Sequence, residues 1–388
     1  MLFTFFIARN LIPSIYGEYI TLSSIIAFMV TPIFFVSLFL SNKISQADDL
    51  NYRNEIINRV FQLSLIIMAL VISVFYFSKG LIIEKFKIDN FEWIEIFGIL
   101  ILITLINHVF SGIFQGYKKY YHYSILSNIT FLVKFIGVII CIYFFKLNLN
   151  IIFLTIFIAY FIQLIFTVFY INKITDLKKM FFLGRDFLNF DYILKSDWVF
   201  ISVILFAYVI NFFDILVFRY LYNIELSSNY NVSSLIAKIP LIAAASITNI
   251  LVPELNDKNN LQIHKLGIAF IFITSIYIFY YMFILLFGDI FITIIFGNAY
   301  INSLEYINEL VVYFYFCNLI SVLLLALSKK ISLNLIAIIV LYFVIILFLL
   351  VNFSVEPTNF INILTYSSSF FLVLILCIFL LKNTKKSA

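Results

Sequence analysis

Long, uninterrupted apolar runs dominate the sequence and leave few folds open to it. They lie at about 17–40, 60–82, 94–116, 123–145, 151–171, 197–221, 230–251, 268–287, 308–328, 331–351 and 360–381. A helix needs about 20 apolar residues to cross a bilayer, so each run is long enough for one span. Transmembrane β-strands would instead show short segments of alternating polarity. The runs therefore predict an all-α integral membrane protein.

The segment Met1–Ile12 is apolar but too short to cross a bilayer core of about 30 Å. We expect it to be the outer half of a first span whose beginning lies outside the sequence. With this segment, we predict about twelve transmembrane helices.

The composition excludes several classes of function. Only 12% of the residues are charged, against about 25% in a soluble domain, which argues against a water-soluble enzyme. The net charge of +5 comes from short basic clusters between apolar runs, so we expect no nucleic-acid partner. The cysteines, Cys141, Cys317 and Cys377, all lie in apolar runs, and the sequence contains no P-loop and no metal-ligand spacing. We therefore expect no enzyme activity, no metal and no cofactor.

The longest polar stretch, Asn172–Ser196, divides the predicted spans into six before it and six after it. This arrangement is typical of secondary transporters. It predicts an N-terminal lobe at 1–172, a cytoplasmic linker at 173–196 and a C-terminal lobe at 197–388. The linker mixes basic and aromatic residues, which fits either an amphipathic helix on the inner leaflet or a solvated tether.

The basic residues also predict the orientation. If the ends of the even-numbered spans face the cytoplasm, most of the 25 lysines and arginines lie on that side. Cytoplasmic loops of membrane proteins carry this excess. We therefore expect a cytoplasmic C-terminus.

Basic side chains within the spans indicate an anionic cargo. Lys134 and Lys238 lie near the middle of their spans, too deep for a lysine stem to reach the bilayer surface, so we expect both to face a polar interior. Arg219 lies near a span end, where it could either extend to the surface or join that interior. A positive excess suits a phosphate or diphosphate group.

One acidic side chain, Asp214, lies clearly within a span, and Asn211 lies three positions before it on the same helix face. A buried carboxylate is a natural site for H⁺ or Na⁺. We therefore interpret Asp214, with Asn211, as an ion-coupling site. Pro240 follows Lys238 and frees a backbone carbonyl near it, and Asn107, His108 and Gln163 are further interior polar candidates.

An ordered series of short motifs resembles the Wzx-type O-antigen flippases, polysaccharide exporters of the multidrug/oligosaccharidyl-lipid/polysaccharide (MOP) superfamily. The motifs span nearly the whole chain and are Ala8–Leu11, Tyr16–Tyr19, Phe110–Lys119, Asn211–Leu216, Ser228–Val232, Val252–Leu255 and Phe296–Tyr300.

The resemblance implies a two-lobed carrier with a cationic central cavity in the bacterial inner (plasma) membrane. It would move undecaprenyl-diphosphate-linked oligosaccharide, an O-antigen or capsule repeat unit, from the cytoplasmic to the outer leaflet by alternating access. Asp214 matches the acidic residue of the seventh span, and Arg9 matches the basic residue that closes the first. A polysaccharide polymerase and a chain-length regulator are further partners that this interpretation predicts.

Three alternatives stay open. An ion-coupled antiporter that exports small molecules or drugs could share the fold, but it would need the opposite charge balance inside. A membrane polysaccharide polymerase or ligase could share the length, but such enzymes have a large outside loop that this sequence lacks. A non-transporting assembly partner would have no need for charges within its spans.

Overall fold

The computed structural model describes residues 2–47, 49–88, 94–144, 148–173, 209–210, 212–241, 243–244, 263–327 and 333–384. The described residues form helices and short connections, with no strand among them. The chain divides into two compact units, Met1–Asp197 and Trp198–Ala388. The predicted linker beyond Lys173 lies outside the described residues.

The described residues of the first unit form six helices that follow the apolar runs. They are α1 Leu2–Asn10, α2 Pro13–Gln46, α3 Leu50–Phe86, α4 Ile94–Gly116, α5 Tyr120–Phe144 and α6 Leu149–Ile171. Pro13 occupies the first turn of α2, where its missing N–H is no loss. The side chain of Asn148 caps α6 by accepting a hydrogen bond from the Ile151 N–H at 2.9 Å. Local polar residues therefore set where these apolar helices begin.

Helices α2 and α4 pack closely because α4 presents two glycines to α2. A Cβ at Gly112 would overlap Ser37, and a Cβ at Gly116 would overlap Ile44. Gly112 and Gly116 are four residues apart and thus share one helix face, the small-residue pattern that lets membrane helices approach. The motif Phe110–Lys119 is therefore also a packing motif.

The second unit begins with a helical segment at 212–221. It continues with α7 Ile224–Ala237, α8 Ile263–Ile295, a 3₁₀ turn Asn298–Ser303, α9 Leu304–Leu327, α10 Leu333–Phe353 and α11 Pro357–Thr384. Helix α9 packs against α7, α8 and α11. Asn223 caps α7 through the Leu226 N–H at 2.9 Å. Helix α7 ends at Ala237, Lys238 forms a turn, and residues 239–241 are helical again. Pro240 cannot donate a helical hydrogen bond and disfavours helix in the residue before it, so Lys238 lies at a short break in the helix.

Within the described residues, eight helices are long and apolar enough to cross a membrane, judged by length and composition. They are Pro13–Ile33, Asn51–Phe86, Ile96–Gly116, Tyr120–Phe144, Leu149–Ile171, Leu266–Ile295, Asn298–Leu324 and Pro357–Phe379. Large apolar side chains such as Phe77, Phe279 and Phe370 are exposed on them, as expected for helix faces that contact lipid. The prediction of an all-α, multi-pass membrane protein is confirmed.

Candidate functional site

A buried ion pair forms the polar centre of the second unit. The Lys238 ammonium lies 3.1 Å from Oδ1 and 3.3 Å from Oδ2 of Asp214. The Asp214 side chain is completely buried, and that of Lys238 is 11% exposed. Two charges so far from water are stable only when they are paired and further hydrogen-bonded.

Further donors complete the surroundings of the Asp214 carboxylate. Ser234 Oγ donates to Oδ2 at 2.6 Å, and the Tyr230 hydroxyl donates to the same oxygen at 3.3 Å. Tyr230, Ser234 and Lys238 follow one another at four-residue intervals, which places them on one stripe of the helix and its end. Helix α7 therefore supplies three donors to a single carboxylate on the segment 212–221.

An aromatic cluster fixes the helix that carries these donors. The Tyr230 ring stacks on Phe218, with 3.8 Å between the ring centroids, and both contact Phe360 of α11 edge-on. The Tyr222 hydroxyl donates to the carbonyls of Ser354 and Glu356 at 3.1 and 2.8 Å. The segment 212–221, α7 and α11 are thus held together beside the ion pair.

The polar centre of the first unit is the environment of Lys134. The Lys134 ammonium lies 3.8 Å from the centroid of the Tyr160 ring, a close cation–π contact between α5 and α6. Lys134 is half-buried and makes no ion pair with any described residue. The amide of Asn107 on α4 donates to the Tyr160 carbonyl at 3.1 Å, and the neighbouring His108 lies close enough to Lys134 for an electrostatic interaction.

The structure corrects one expectation about Lys238. The sequence analysis treated Lys238 as an excess cation and Asp214 as a separate ion site. The structure instead joins the two in one ion pair, and Lys238 lies on the same helical stripe as Ser234 and Tyr230, which also reach the carboxylate. The expectation of two separate sites is therefore wrong, whereas the role of Lys238 in substrate binding stays a prediction.

The remaining predicted residues have different environments. Arg219 is completely buried, which excludes the option in which its side chain extends to the surface. Arg9 is exposed in the last turn of α1. Asn211 lies outside the described residues. Lys134 lies in the first unit, and the Asp214–Lys238 pair lies in the second.

Sequence reasoning missed several polar residues. Glu18 was not proposed as an interior polar residue, but it lies in the second turn of α2 and is only 3% exposed. Ser234 and Tyr230 were not proposed as partners of Asp214, although their four-residue spacing to Lys238 was visible. Tyr160 gave no signal, because one tyrosine among 25 has no distinguishing pattern.

The apolar helices and their exposed apolar faces together define an all-α, multi-pass membrane protein. The chain is similar in structure to a multidrug resistance MATE family transporter of the MOP superfamily in an inward-facing conformation, with TM-score 0.75, 15% identity, and coverage of 99% of this chain and 94% of that one. An outward-facing MATE family transporter matches with TM-score 0.61, 13% identity, and coverage of 100% and 92%.

The lipid II flippase MurJ in an inward closed conformation also matches, with TM-score 0.59, 15% identity, and coverage of 98% of this chain and 87% of that one. No protein-family model and no curated protein sequence matches the chain. The chain therefore shares its fold with these transporters and with this flippase.

Proposed function

We propose that this chain is a flippase of the bacterial inner membrane. It moves an undecaprenyl-diphosphate-linked oligosaccharide, an O-antigen or capsule repeat unit, from the cytoplasmic to the outer leaflet by alternating access. The fold that it shares with a lipid II flippase supports a lipid-linked cargo. The observation that carries the proposal is the environment of Lys134.

Lys134 lies in the middle of an apolar helix and makes no ion pair with any described residue. A cation in this position is costly and is usually retained for a functional reason. The Tyr160 ring stabilises the ammonium but leaves its donors able to reach an anion. A lysine binds phosphate as a point charge without demanding one geometry, which suits a diphosphate that must move past it.

The other predicted substrate contacts divide into two groups. Arg219 and Arg9, like Lys134, are proposed to bind the diphosphate or the glycan. Lys238 can contact an anionic cargo only if it leaves Asp214. Transport is coupled to H⁺ or Na⁺ through Asp214 and Asn211 in this proposal, and the polymerase and chain-length regulator stay predicted partners.

The proposal can be tested with purified protein in proteoliposomes that contain undecaprenyl-diphosphate-linked oligosaccharide. The measurement is the fraction of glycan that becomes accessible to a glycosidase added outside. We expect Lys134→Ala to lower the flipping rate by about 10- to 100-fold, since a hydrogen bond to a charged group contributes about 1.5–3 kcal/mol. Lys119→Ala removes an exposed lysine outside the helices and should flip normally. An unchanged rate in Lys134→Ala would reject the proposal.

A second candidate is an ion-coupled antiporter that exports small molecules or drugs. It is favoured by the greater structural similarity to the multidrug transporter, TM-score 0.75 against 0.59 for the lipid II flippase. The same vesicles distinguish the two candidates. Uptake of a fluorescent organic cation that survives Lys134→Ala, without any glycan flipping, would favour the antiporter.

A further inference from the structure

The surroundings of Asp214 resemble a cation-binding site in which the cation is the ammonium group of Lys238. Both carboxylate oxygens face the Lys238 ammonium, at 3.1 and 3.3 Å. The hydroxyls of Ser234 and Tyr230 lie at 2.6 and 3.3 Å from Oδ2. Carboxylate and hydroxyl oxygens are the ligands that hard cations such as Na⁺ prefer. The site is thus lined by suitable oxygens and already holds one positive charge.

The charge in this site must be balanced because the carboxylate has no access to water. Asp214, Ser234 and Tyr230 are all 0% exposed. An isolated ionised carboxylate is not stable in such surroundings. A tethered ammonium and a free monovalent cation would satisfy the same requirement, and they would exclude each other from the same position.

Asn231 of α7 provides an independent indication of a ligand position on the same helix. It is 1% exposed, and neither its Oδ1 nor its Nδ2 makes a hydrogen bond with any described residue. It precedes Ser234 by three residues and Lys238 by seven, so it belongs to the same polar stripe of α7. A buried amide without a partner is unfavourable unless water or an ion completes it. Its carbonyl oxygen could therefore contribute to a cation site.

We propose that the Lys238 ammonium occupies the cation position of an oxygen-lined site formed by Asp214, Ser234, Tyr230 and Asn231, so that the second unit binds neither Na⁺ nor K⁺ while Lys238 is in place. Removal of the ammonium opens the position to a free monovalent cation. This inference rests on the proposed function only in that Asp214 is taken to be the ion-coupling residue. If Lys238 excludes Na⁺ from the site, H⁺ is the coupling ion that remains.

The test measures binding of radioactive Na⁺ to the purified protein. We expect no saturable binding by the wild type, saturable binding by Lys238→Ala, and none by the double variant Lys238→Ala/Asp214→Asn. Lys119→Ala is the matched control for the loss of one positive charge and should behave like the wild type. Competition by K⁺, with choline as the inert cation, reports which ions fit.

Two results would overturn the proposal. One is saturable Na⁺ binding by the wild type that Asp214→Asn removes, because Na⁺ would then bind beside the lysine. The other is a folded Lys238→Ala protein that binds no Na⁺. If Lys238→Ala does not fold, Lys238→Ser takes its place, and the same two results would overturn the proposal.

The binding assay needs no lipid-linked glycan, so its outcome is separate from that of the flipping assay. If no variant binds Na⁺ but the wild type flips the glycan normally, only the proposal that Lys238 occupies a cation site is rejected. Normal binding results with no flipping would reject the proposed function alone.

Discussion

The Lys134 ammonium lies 3.8 Å from the centre of the Tyr160 ring, and the carbonyl of the same tyrosine accepts a hydrogen bond from Asn107. Tyr160 thereby joins α4, α5 and α6 around the only lysine within α5. Since a lysine side chain has four rotatable bonds, its ammonium is otherwise poorly positioned. The ring therefore fixes where the positive charge is presented.

We expect Tyr160→Leu to lower the rate of glycan flipping several-fold while leaving the protein in the membrane. A cation–π contact contributes about 0.5–2 kcal/mol, and leucine removes it while keeping an apolar side chain. The Asn107 bond should persist in this variant because it uses the backbone carbonyl. The measurement is flipping in proteoliposomes at equal amounts of inserted protein.

Tyr160→Phe separates the ring from the hydroxyl and is the control. It keeps the aromatic face and should flip at the rate of the wild type. If Tyr160→Phe lowers the flipping rate as much as Tyr160→Leu does, the effect comes from the hydroxyl and not from the ring. The proposed role of the ring in positioning the Lys134 ammonium would then be wrong.

Much of the fold could be predicted because it follows from apolar length. The run predicted at 94–116 coincides with α4, Ile94–Gly116, and the run at 151–171 ends where α6 ends. Polar residues at helix starts are harder to judge. Glu18 lies in the second turn of α2 and is buried, and its burial depends on the helices that pack around it, which the polarity of the run does not specify.

The site could be predicted residue by residue but not as pairs. A charge in an apolar run identifies Asp214, Lys134 and Lys238 as interior residues, because the free-energy cost of a charge depends on its depth in the membrane. It does not identify which residue each of them contacts. Which charges pair depends on how the helices pack. Helix packing brings together Asp214 and Lys238, which are 24 positions apart in sequence. The partner of Lys134 is an aromatic ring, which an apolar run cannot distinguish from its neighbours.

We expect the Asp214–Lys238 pair to show strong coupling in stability. Asp214→Asn or Lys238→Met alone leaves a buried charge without its partner and should lower the free energy of unfolding by about 3–5 kcal/mol. The double variant removes both charges and should recover most of that loss. Thermal unfolding of the purified proteins in detergent measures all four states of the cycle.

A small coupling energy between Asp214 and Lys238 would contradict this expectation. Additive losses in the double variant would mean that the two side chains act independently. Ser234→Ala is a useful comparison, since it removes one neutral donor to the same carboxylate and should lower the stability by only about 1 kcal/mol.

The C-terminus should lie in the cytoplasm, as the distribution of basic residues predicts. A reporter enzyme that is active only in the periplasm should therefore be inactive when fused after Ala388. A fusion of a fluorescent protein that matures only in the cytoplasm should be fluorescent at the same position. The opposite pair of results would reverse the predicted orientation of every span.

Gly112 should be a critical position for the packing of α2 against α4. An added Cβ would overlap the backbone and side chain of Ser37, so Gly112→Ala should lower the free energy of unfolding by about 1–3 kcal/mol. Gly80 is the matched control, because it lies in helix α3 with no atom within 4 Å of an added Cβ. Gly80→Ala should leave stability unchanged or raise it by up to about 1 kcal/mol, since alanine favours helices more than glycine does.

The measurement for both glycine variants is the midpoint of thermal unfolding in detergent, with the amount of inserted protein as a second readout. A loss at Gly112 and none at Gly80 would show that close helix contact, and not glycine in a helix as such, decides the outcome. Equal midpoints for the two variants would mean that α2 and α4 separate by a few tenths of an ångström at little cost. In that case the packing role of the Phe110–Lys119 motif would be wrong.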